Sequence, residues 1–137
     1  MRVLLDTCVI SETLRPKGAQ RVKDRVRGLT SRDTFISALT LGELVHGIAR
    51  LDPSPRKDTL ERLVLEMEQH FDDRIVDVDA ETARIWGEVR ARVARTTPPI
   101  DTLIAATALR HGFHVMTRNV KDFEGTGALL INPWVDA

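Results

Sequence analysis

The stretch Met1–Ser11, M-R-V-L-L-D-T-C-V-I-S, opens the chain with an apolar run that ends on an acid. Val3, Leu4 and Leu5 are consecutive apolar residues, which is typical of a strand covered on both faces. Asp6 follows this run directly. Burial of a carboxylate costs free energy unless the group is hydrogen-bonded or paired. Because ligand sites in open α/β sheets lie beyond the carboxyl ends of the strands, Asp6 is either a helix cap or the first residue of a functional site.

Helical and strand patterns alternate along the rest of the chain. Apolar residues at helical spacing predict helices that include residues 41–48, 60–71, 83–93 and 100–111. Short apolar runs predict further strands near residues 35–36, 75–78, 114–117 and 128–131. This alternation predicts an α/β fold, with a central parallel sheet of four to five strands and helices on both faces. No repeat or linker interrupts the pattern, so we expect a single domain over residues 1–137.

The composition restricts the classes of function. The chain carries 20 basic and 20 acidic residues, which argues against an autonomous, tight nucleic-acid binder but not against a nuclease that acts beside a partner. The single cysteine, Cys8, excludes an internal disulfide and fits a reducing compartment. No apolar run approaches the roughly 20 residues that span a bilayer, and no signal peptide precedes the first strand. We therefore expect a cytoplasmic protein with no membrane contact.

A basic segment follows the first helical stretch. Its six cations are Arg15, Lys17, Arg21, Lys23, Arg25 and Arg27. Such a segment can follow an RNA backbone, and it can equally be the solvated face of a helix.

Glu43 is the second candidate site residue. Thr40-Leu41-Gly42-Glu43 matches a capping box, in which the glutamate reaches back to the amide of Thr40. Gly42 and Gly47 flank it, however, and a glycine inside a helix costs roughly 1 kcal/mol. The two glycines make sense if a ligand must approach that helix face closely, so the structural and the functional interpretation both remain open.

Three further polar side chains lie near predicted element ends. Asp101 opens the apolar helix, where a first-turn acid is stabilised by the helix dipole, but where partial burial would also favour a cation partner. Asn119 follows the strand near residues 114–117, and Asp122 comes three residues later. An asparagine there can simply cap a helical turn. Asp6 and Asn119 are nevertheless expected at the same edge of the sheet.

Carboxylates gathered at one edge repel one another unless a hard cation lies among them. Cys8 is alone, and the four histidines have no ligand spacing, so the sequence does not predict a zinc site. Oxygen ligands favour Mg²⁺, with Mn²⁺ as the alternative.

Four motifs in order resemble those of the PIN-domain ribonucleases, most closely the toxin subunits of VapBC-type, FitAB-like modules. L-L-D-T-C-V-I-S resembles the family's L-D-T-N-V-I-S, and T-L-G-E-L-V-H-G resembles T-x-x-E-L-x-x-G. P-P-I-D-T-L-I-A-A-T-A resembles D-x-x-I-A-A-T-A, and V-M-T-R-N-V-K-D-F resembles T-R-N/D-x-x-D-F. The terminal I-N-P-W is similar to the end of the same subgroup. The resemblance covers almost the whole chain.

The resemblance implies a PIN-like fold and a Mg²⁺-dependent endoribonuclease toxin of a type II toxin–antitoxin system. The matching catalytic positions are Asp6, Glu43, Asp101 and Asn119. Asp6 and Asp101 are expected to hold the metal, with Glu43, Asn119 and Asp122 as further candidate ligands. Glu43 is expected to orient or deprotonate the attacking water, and the products would carry 5′-phosphate and 3′-hydroxyl ends.

The resemblance also implies partners. These are an RNA substrate, a cognate antitoxin whose C-terminal segment blocks the cleft, operator DNA bound through the antitoxin, and a second copy of the chain in a homodimer.

The chain departs from the family pattern at two positions. Cys8 stands where the family usually has asparagine, and a thiol is the weaker hydrogen-bonding group. Asn119 replaces the acid of many members, which removes one negative charge. An alternative is therefore a PIN-like binding module that engages an antitoxin-type partner without significant cleavage. An aspartyl-phosphate enzyme using Asp6 would need a second aspartate where Cys8 stands.

Overall fold

The computed structural model describes residues 1–136, so the last residue of the predicted domain, Ala137, lies outside the described residues. Within the described part there are five strands: β1 Val3–Leu5, β2 Thr34–Ser37, β3 Ile75–Val76, β4 His114–Met116 and β5 Leu129–Ile131. Six α-helices connect or follow them: α1 Thr7–Leu14, α2 Gln20–Arg27, α3 Ala38–Ala49, α4 Pro55–Phe71, α5 Ala80–Arg92 and α6 Pro99–His111. Short 3₁₀ helices cover Ser31–Asp33, Asp72–Arg74 and Val120–Phe123.

The five strands form one parallel sheet in the order β3-β2-β1-β4-β5. The chain runs outward from β1 to β3 and then returns to the other side of β1 to add β4 and β5. The strand order therefore reverses between β1 and β4, and the crevice beyond their carboxyl ends is where open α/β sheets bind ligands. Asp6 follows β1 directly and thus stands at this crevice.

The central strand is buried on both faces, as its continuous apolar run predicts. Val3 and Leu5 belong to a core cluster on one face of the sheet, which also contains residues of α1 to α4. Leu4 points to the other face and packs with Ile104 and Ala108 of α6. The predicted α/β architecture with helices on both faces is confirmed.

The start of α6 is tied to the neighbouring helix. Trp86 of α5 donates its indole N–H to Thr102 Oγ1 at 2.9 Å, and the Thr102 hydroxyl donates in turn to the Pro99 carbonyl at 2.8 Å. Six of the thirteen α6 residues are buried, in agreement with the predicted central helix, and Gly112 ends it in the left-handed conformation. These contacts hold the first turn of α6, which carries Asp101, against the sheet. None of the helices in residues 1–136 combines the length and apolarity that crossing a bilayer requires.

Gly18 lies in a tight turn between α1 and α2 and provides a test of the packing. A Cβ at this position would lie 2.1 Å from the backbone oxygen of Glu12. We expect Gly18→Ala to lower the free energy of unfolding by about 2–3 kcal/mol, because the backbone must shift to relieve the clash. Gly87→Ala is the control, since a Cβ there meets nothing within 4 Å. It should raise stability by up to about 1 kcal/mol through helix propensity. Urea denaturation of both variants checks the pair, and equal effects would contradict the prediction.

Candidate active site

Asp6 is both the N-cap of α1 and a member of the crevice. Its Oδ1 accepts a hydrogen bond from the Thr7 amide at 2.9 Å, so the capping interpretation is correct. Its Oδ2 accepts from the Thr117 hydroxyl at 2.8 Å, across a separation of 111 residues. Burial raises the pKa of Asp6 above its usual value, while the bonds from Thr117 and Thr7 act in the opposite direction. The carboxylate is thus held rigidly between β1 and β4.

Glu43 does not take part in a capping box, so that interpretation is wrong. Helix α3 begins earlier than the motif predicts, with Ser37 as N-cap, and Thr40 is buried inside the first turn. The Glu43 side chain is exposed instead, and its Oε1 accepts a hydrogen bond from the Thr7 hydroxyl at 2.5 Å. Thr7 therefore connects the two acids: its amide donates to Asp6 and its hydroxyl donates to Glu43.

The helix face around Glu43 is open. A Cβ added at Gly42 or at Gly47 would meet nothing within 4 Å. Gly47 and Glu43 both line a groove between α1, α3 and α4. The free space agrees with the expectation that a ligand approaches this face.

Asp101 lies in the first turn of α6 and is half-buried. Its pKa is raised to about 7, mainly by burial and then by the negative charges of Asp6, Asp122 and Glu43. An interaction with the Asp122 side chain also favours the protonated form. Four carboxyl groups from four parts of the chain therefore share one acidic cleft, which we define as Asp6, Glu43, Asp101 and Asp122.

The structure places Asp122, rather than Asn119, among these acids. The Asn119 residue is exposed, its backbone N–H donates to Thr117 Oγ1 at 3.1 Å, and its side chain makes no capping bond. The 3₁₀ turn folds back so that the Asp122 amide donates to the Asn119 carbonyl at 3.0 Å. The charge of Asp122 raises the pKa of both Asp6 and Asp101. The charge of Asp122 therefore acts within the cleft, while the ranking of Asn119 above Asp122 as the position facing a metal stays a prediction.

Cys8 fills the position of the family's asparagine with weak polar contacts. Its Sγ lies 3.8 Å from Asp6 Oδ2 and 3.6 Å from Thr117 Oγ1, and it accepts the Arg118 amide at 3.5 Å. Burial, and then the charge of Asp6, raise the pKa of the thiol above its usual value. The side chain is therefore a neutral neighbour of the carboxylate.

The donor set of the cleft fits a hard divalent cation. No three histidine, cysteine, aspartate or glutamate side chains of residues 1–136 form a ready-made metal cage. The carboxylates instead repel one another, as the raised pKa of Asp101 indicates, and a cation with oxygen preference would relieve this repulsion. Asp6 Oδ1 accepts one protein hydrogen bond, from the Thr7 amide, and keeps a lone pair free. Ligation is thus chemically available to these residues.

Two functional neighbours, Thr7 and Thr117, were not predicted as site residues. Thr7 directly follows Asp6 in the sequence, and Thr117 directly follows strand β4. Their position at strand ends was the available signal. A threonine at such a place is common enough in turns and caps that the signal alone was not specific.

Comparison with known proteins identifies the family and the fold. The strand order of the sheet reverses at a cleft lined by carboxylates. This combination defines an α/β protein with an acidic active-site crevice. The model of the PIN domain matches residues 3–128, and the chain belongs to the PIN-domain family. The chain is 36% identical to toxin FitB of Neisseria gonorrhoeae over 98% of its length and 99% of that protein. It is 32% identical to a VapC ribonuclease of Sinorhizobium fredii, over 98% of this chain and 99% of that protein.

Solved structures give the same result. The crystal structure of FitAcB from Neisseria gonorrhoeae matches with a TM-score of 0.90 and 37% identity, over 98% of this chain and 99% of that chain. The structure of FitAB bound to a DNA fragment matches with a TM-score of 0.90 and 32% identity, over 98% and 97% of the two chains. The PIN-like fold and the predicted relationship to toxin ribonucleases are confirmed.

Proposed function

We propose that this protein is a Mg²⁺-dependent endoribonuclease toxin of a type II toxin–antitoxin system, acting as a single PIN domain over residues 1–137. It hydrolyses RNA phosphodiester bonds and leaves 5′-phosphate and 3′-hydroxyl ends. One observation carries the proposal: burial, together with the negative charges of Asp6, Asp122 and Glu43, raises the pKa of Asp101 to about 7. Such mutual repulsion costs stability and is characteristic of functional sites.

Each acid has a proposed role. Asp6 and Asp101 hold Mg²⁺, and Mn²⁺ fits the same oxygen donors. Asp122 is a further candidate ligand beside Asn119, because its charge acts on both of these aspartates. Thr117 keeps the Asp6 carboxylate in place through its 2.8 Å hydrogen bond.

Glu43 orients the attacking water and takes its proton. The Thr7 hydroxyl occupies one of its oxygens, at 2.5 Å, and leaves the other free for a water molecule. When bound, a divalent cation supplies charge stabilisation for the phosphate and for the leaving oxygen. The exposed position of Glu43 at the groove gives a phosphodiester access to this base.

The test is cleavage of RNA by the purified protein in three arms: with Mg²⁺, with Mg²⁺ and excess EDTA, and with the Asp6→Asn variant. We expect cleavage only in the first arm. Asp58→Asn, which alters an exposed acid of α4, is the matched control and should cleave as the parent does. Equal cleavage in all arms would point to a contaminating nuclease and would overturn the proposal.

A second candidate is a binding module with little cleavage. The observation that favours it is the weak contact of Cys8, whose thiol lies 3.8 Å from Asp6 Oδ2 where an amide would bond more strongly. Titration with Mn²⁺ by calorimetry separates the two functions, since the module should bind no metal. Cys8→Asn should increase cleavage if the thiol limits the activity.

A second groove of this protein offers a docking surface for the antitoxin. An apolar groove between α3 and α4 is lined by Val45, Ile48, Ala49, Glu61, Val64, Leu65 and Glu68. Val45 and Leu65 are 51% and 60% exposed. Ile48 also lines the groove that reaches Glu43. An amphipathic antitoxin helix would cover the apolar groove, and the chain that follows it would reach the cleft.

Operator DNA is bound through the antitoxin in this proposal. The structure of FitAB bound to DNA supports this arrangement. The toxin subunits would pair as a homodimer, and light scattering on the purified protein tests this directly. The cytoplasm is the proposed location, in keeping with an RNA substrate and the free thiol of Cys8.

A further inference from the structure

Arg118 is an exposed cation next to the residues that hold Asp6. It directly follows Thr117, which bonds Asp6, and its own amide donates to Cys8 Sγ at 3.5 Å. It is exposed, and within residues 1–136 it forms no salt bridge. The backbone of Arg118 therefore lies beside Thr117 and Cys8, the two residues whose side chains contact Asp6 Oδ2.

The guanidinium is held in place by an aromatic ring. Its Cζ lies 5.0 Å from the ring centroid of Trp134, in a cation–π arrangement. Trp134 is half-buried and packs against the core cluster on that face of the sheet, so the ring itself is fixed. An arginine stacked on a ring loses little freedom on binding and keeps its in-plane N–H donors available for a phosphate.

The basic segment predicted to follow RNA is largely engaged within the protein. Arg15 pairs with Glu12 at 2.5 Å and Arg27 with Asp24 at 3.4 Å. Lys23 donates to the Arg15 and Pro16 carbonyls, and Arg21 to the Val135 and Asp136 carbonyls. Within residues 1–136, the Arg118 side chain forms no such ion pair.

We propose that Arg118 binds a phosphate of the RNA beside the scissile bond and that Trp134 positions its guanidinium for this contact. The inference rests on the proposed ribonuclease function and adds a substrate-binding residue to it. The acids alone would repel an RNA backbone, so a fixed cation at their rim gives the strand an anchor. Arg118 contributes binding and not proton transfer.

The test measures RNA binding separately from cleavage. All variants carry Asp6→Asn, and binding of a short fluorescein-labelled single-stranded RNA is followed by anisotropy at increasing KCl. One lost phosphate contact should reduce the slope of log affinity against log salt by about 0.7. We expect Arg118→Ala to show this change with an affinity loss of about fivefold to tenfold at low salt, and Arg118→Lys to keep the slope.

Two variants separate a specific contact from a general charge effect. Arg2→Ala removes another exposed arginine, whose Cζ lies 5.0 Å from the ring centroid of Phe113. Arg2 precedes β1, so it lies at the edge of the sheet opposite to the cleft. This variant should leave the slope unchanged. Trp134→Phe keeps the charge of Arg118, so the salt slope should stay unchanged. Because the ring that positions the guanidinium is altered, binding should weaken about twofold to threefold.

Cleavage kinetics complete the test. In the otherwise unmodified protein, Arg118→Ala should raise KM and leave kcat within about twofold, because only binding is removed. An unchanged salt slope and KM, with an active parent protein, would overturn the role of Arg118 and leave the ribonuclease function intact. An inactive parent would instead overturn the ribonuclease function. A parent that binds no RNA would overturn the Arg118 proposal.

Discussion

Replacing Asp101 by asparagine should abolish cleavage and at the same time stabilise the metal-free protein at neutral and alkaline pH. We expect the rate of RNA cleavage to fall by at least about 100-fold, because Asp101 is a proposed direct metal ligand, and even residues behind a metal's ligands typically matter about 10–100-fold. The stability gain follows from electrostatics. An ionised Asp101 is destabilised by its burial and then by repulsion from Asp6, Asp122 and Glu43, and asparagine has nearly the same shape without the charge.

The sign of the stability effect follows from the pKa. The folded pKa of Asp101 is about 7, above its usual value of 3.8, so the folded state binds the proton more tightly than the unfolded state. This contribution is fully present below about pH 4 and is lost as the pH rises to about 7 and beyond. With solvent screening of a half-exposed group taken into account, Asp101→Asn should be about 1–2 kcal/mol more stable than the parent near pH 8. The difference should shrink towards pH 4.

The control for this experiment is another first-turn acid. Asp58 lies in the first turn of α4 and is exposed, outside the acidic cleft. If the helix dipole were the main interaction of Asp101, both Asp→Asn variants would lose about 0.3–1 kcal/mol. Urea denaturation in EDTA at two pH values distinguishes the cases. A loss of stability in Asp101→Asn near pH 8 would contradict the crowded-carboxylate interpretation.

The affinity of the protein for a divalent metal ion should rise as the pH increases past about 7. A metal ion can bind the Asp101 carboxylate only after the carboxyl group has lost its proton. Metal binding below about pH 7 must therefore release that proton. With a pKa of about 7 in the metal-free protein, the apparent affinity for Mn²⁺ should increase about tenfold between pH 6 and pH 8 and then level off. The raised pKa of Asp6 acts in the same direction at lower pH.

Calorimetry in two buffers of different ionisation enthalpy measures the released protons directly. We expect about one proton per metal ion near pH 6 and almost none near pH 9. The Asp101→Asn variant should bind metal more weakly and with a smaller pH dependence. A constant affinity across this range would mean that Asp101 is already ionised in the metal-free protein, or that it does not contact the metal.

Much of the fold could be predicted from the sequence because burial produces a local pattern. The apolar run of β1 predicted a strand covered on both faces, and Val3 and Leu4 indeed belong to different core clusters. The nearly all-apolar α6 predicted a central helix. The start of α3 was less predictable: Ser37 and Thr40 are both acceptable caps, and only the packing of β2 decides which of them begins the helix.

The amino-acid sequence by itself determined which residue types stand at the carboxyl ends of the strands, and so the family and the positions of Asp6, Glu43 and Asp101. Tertiary structure alone brought the charge of Asp122 close to Asp6 and Asp101, and placed threonines against Asp6 and Glu43. The physical reason is distance. Hydrophobic periodicity acts between neighbours in the chain, whereas a pKa or a hydrogen bond depends on groups brought together in space, such as Asp6 and Thr117, which are 111 residues apart.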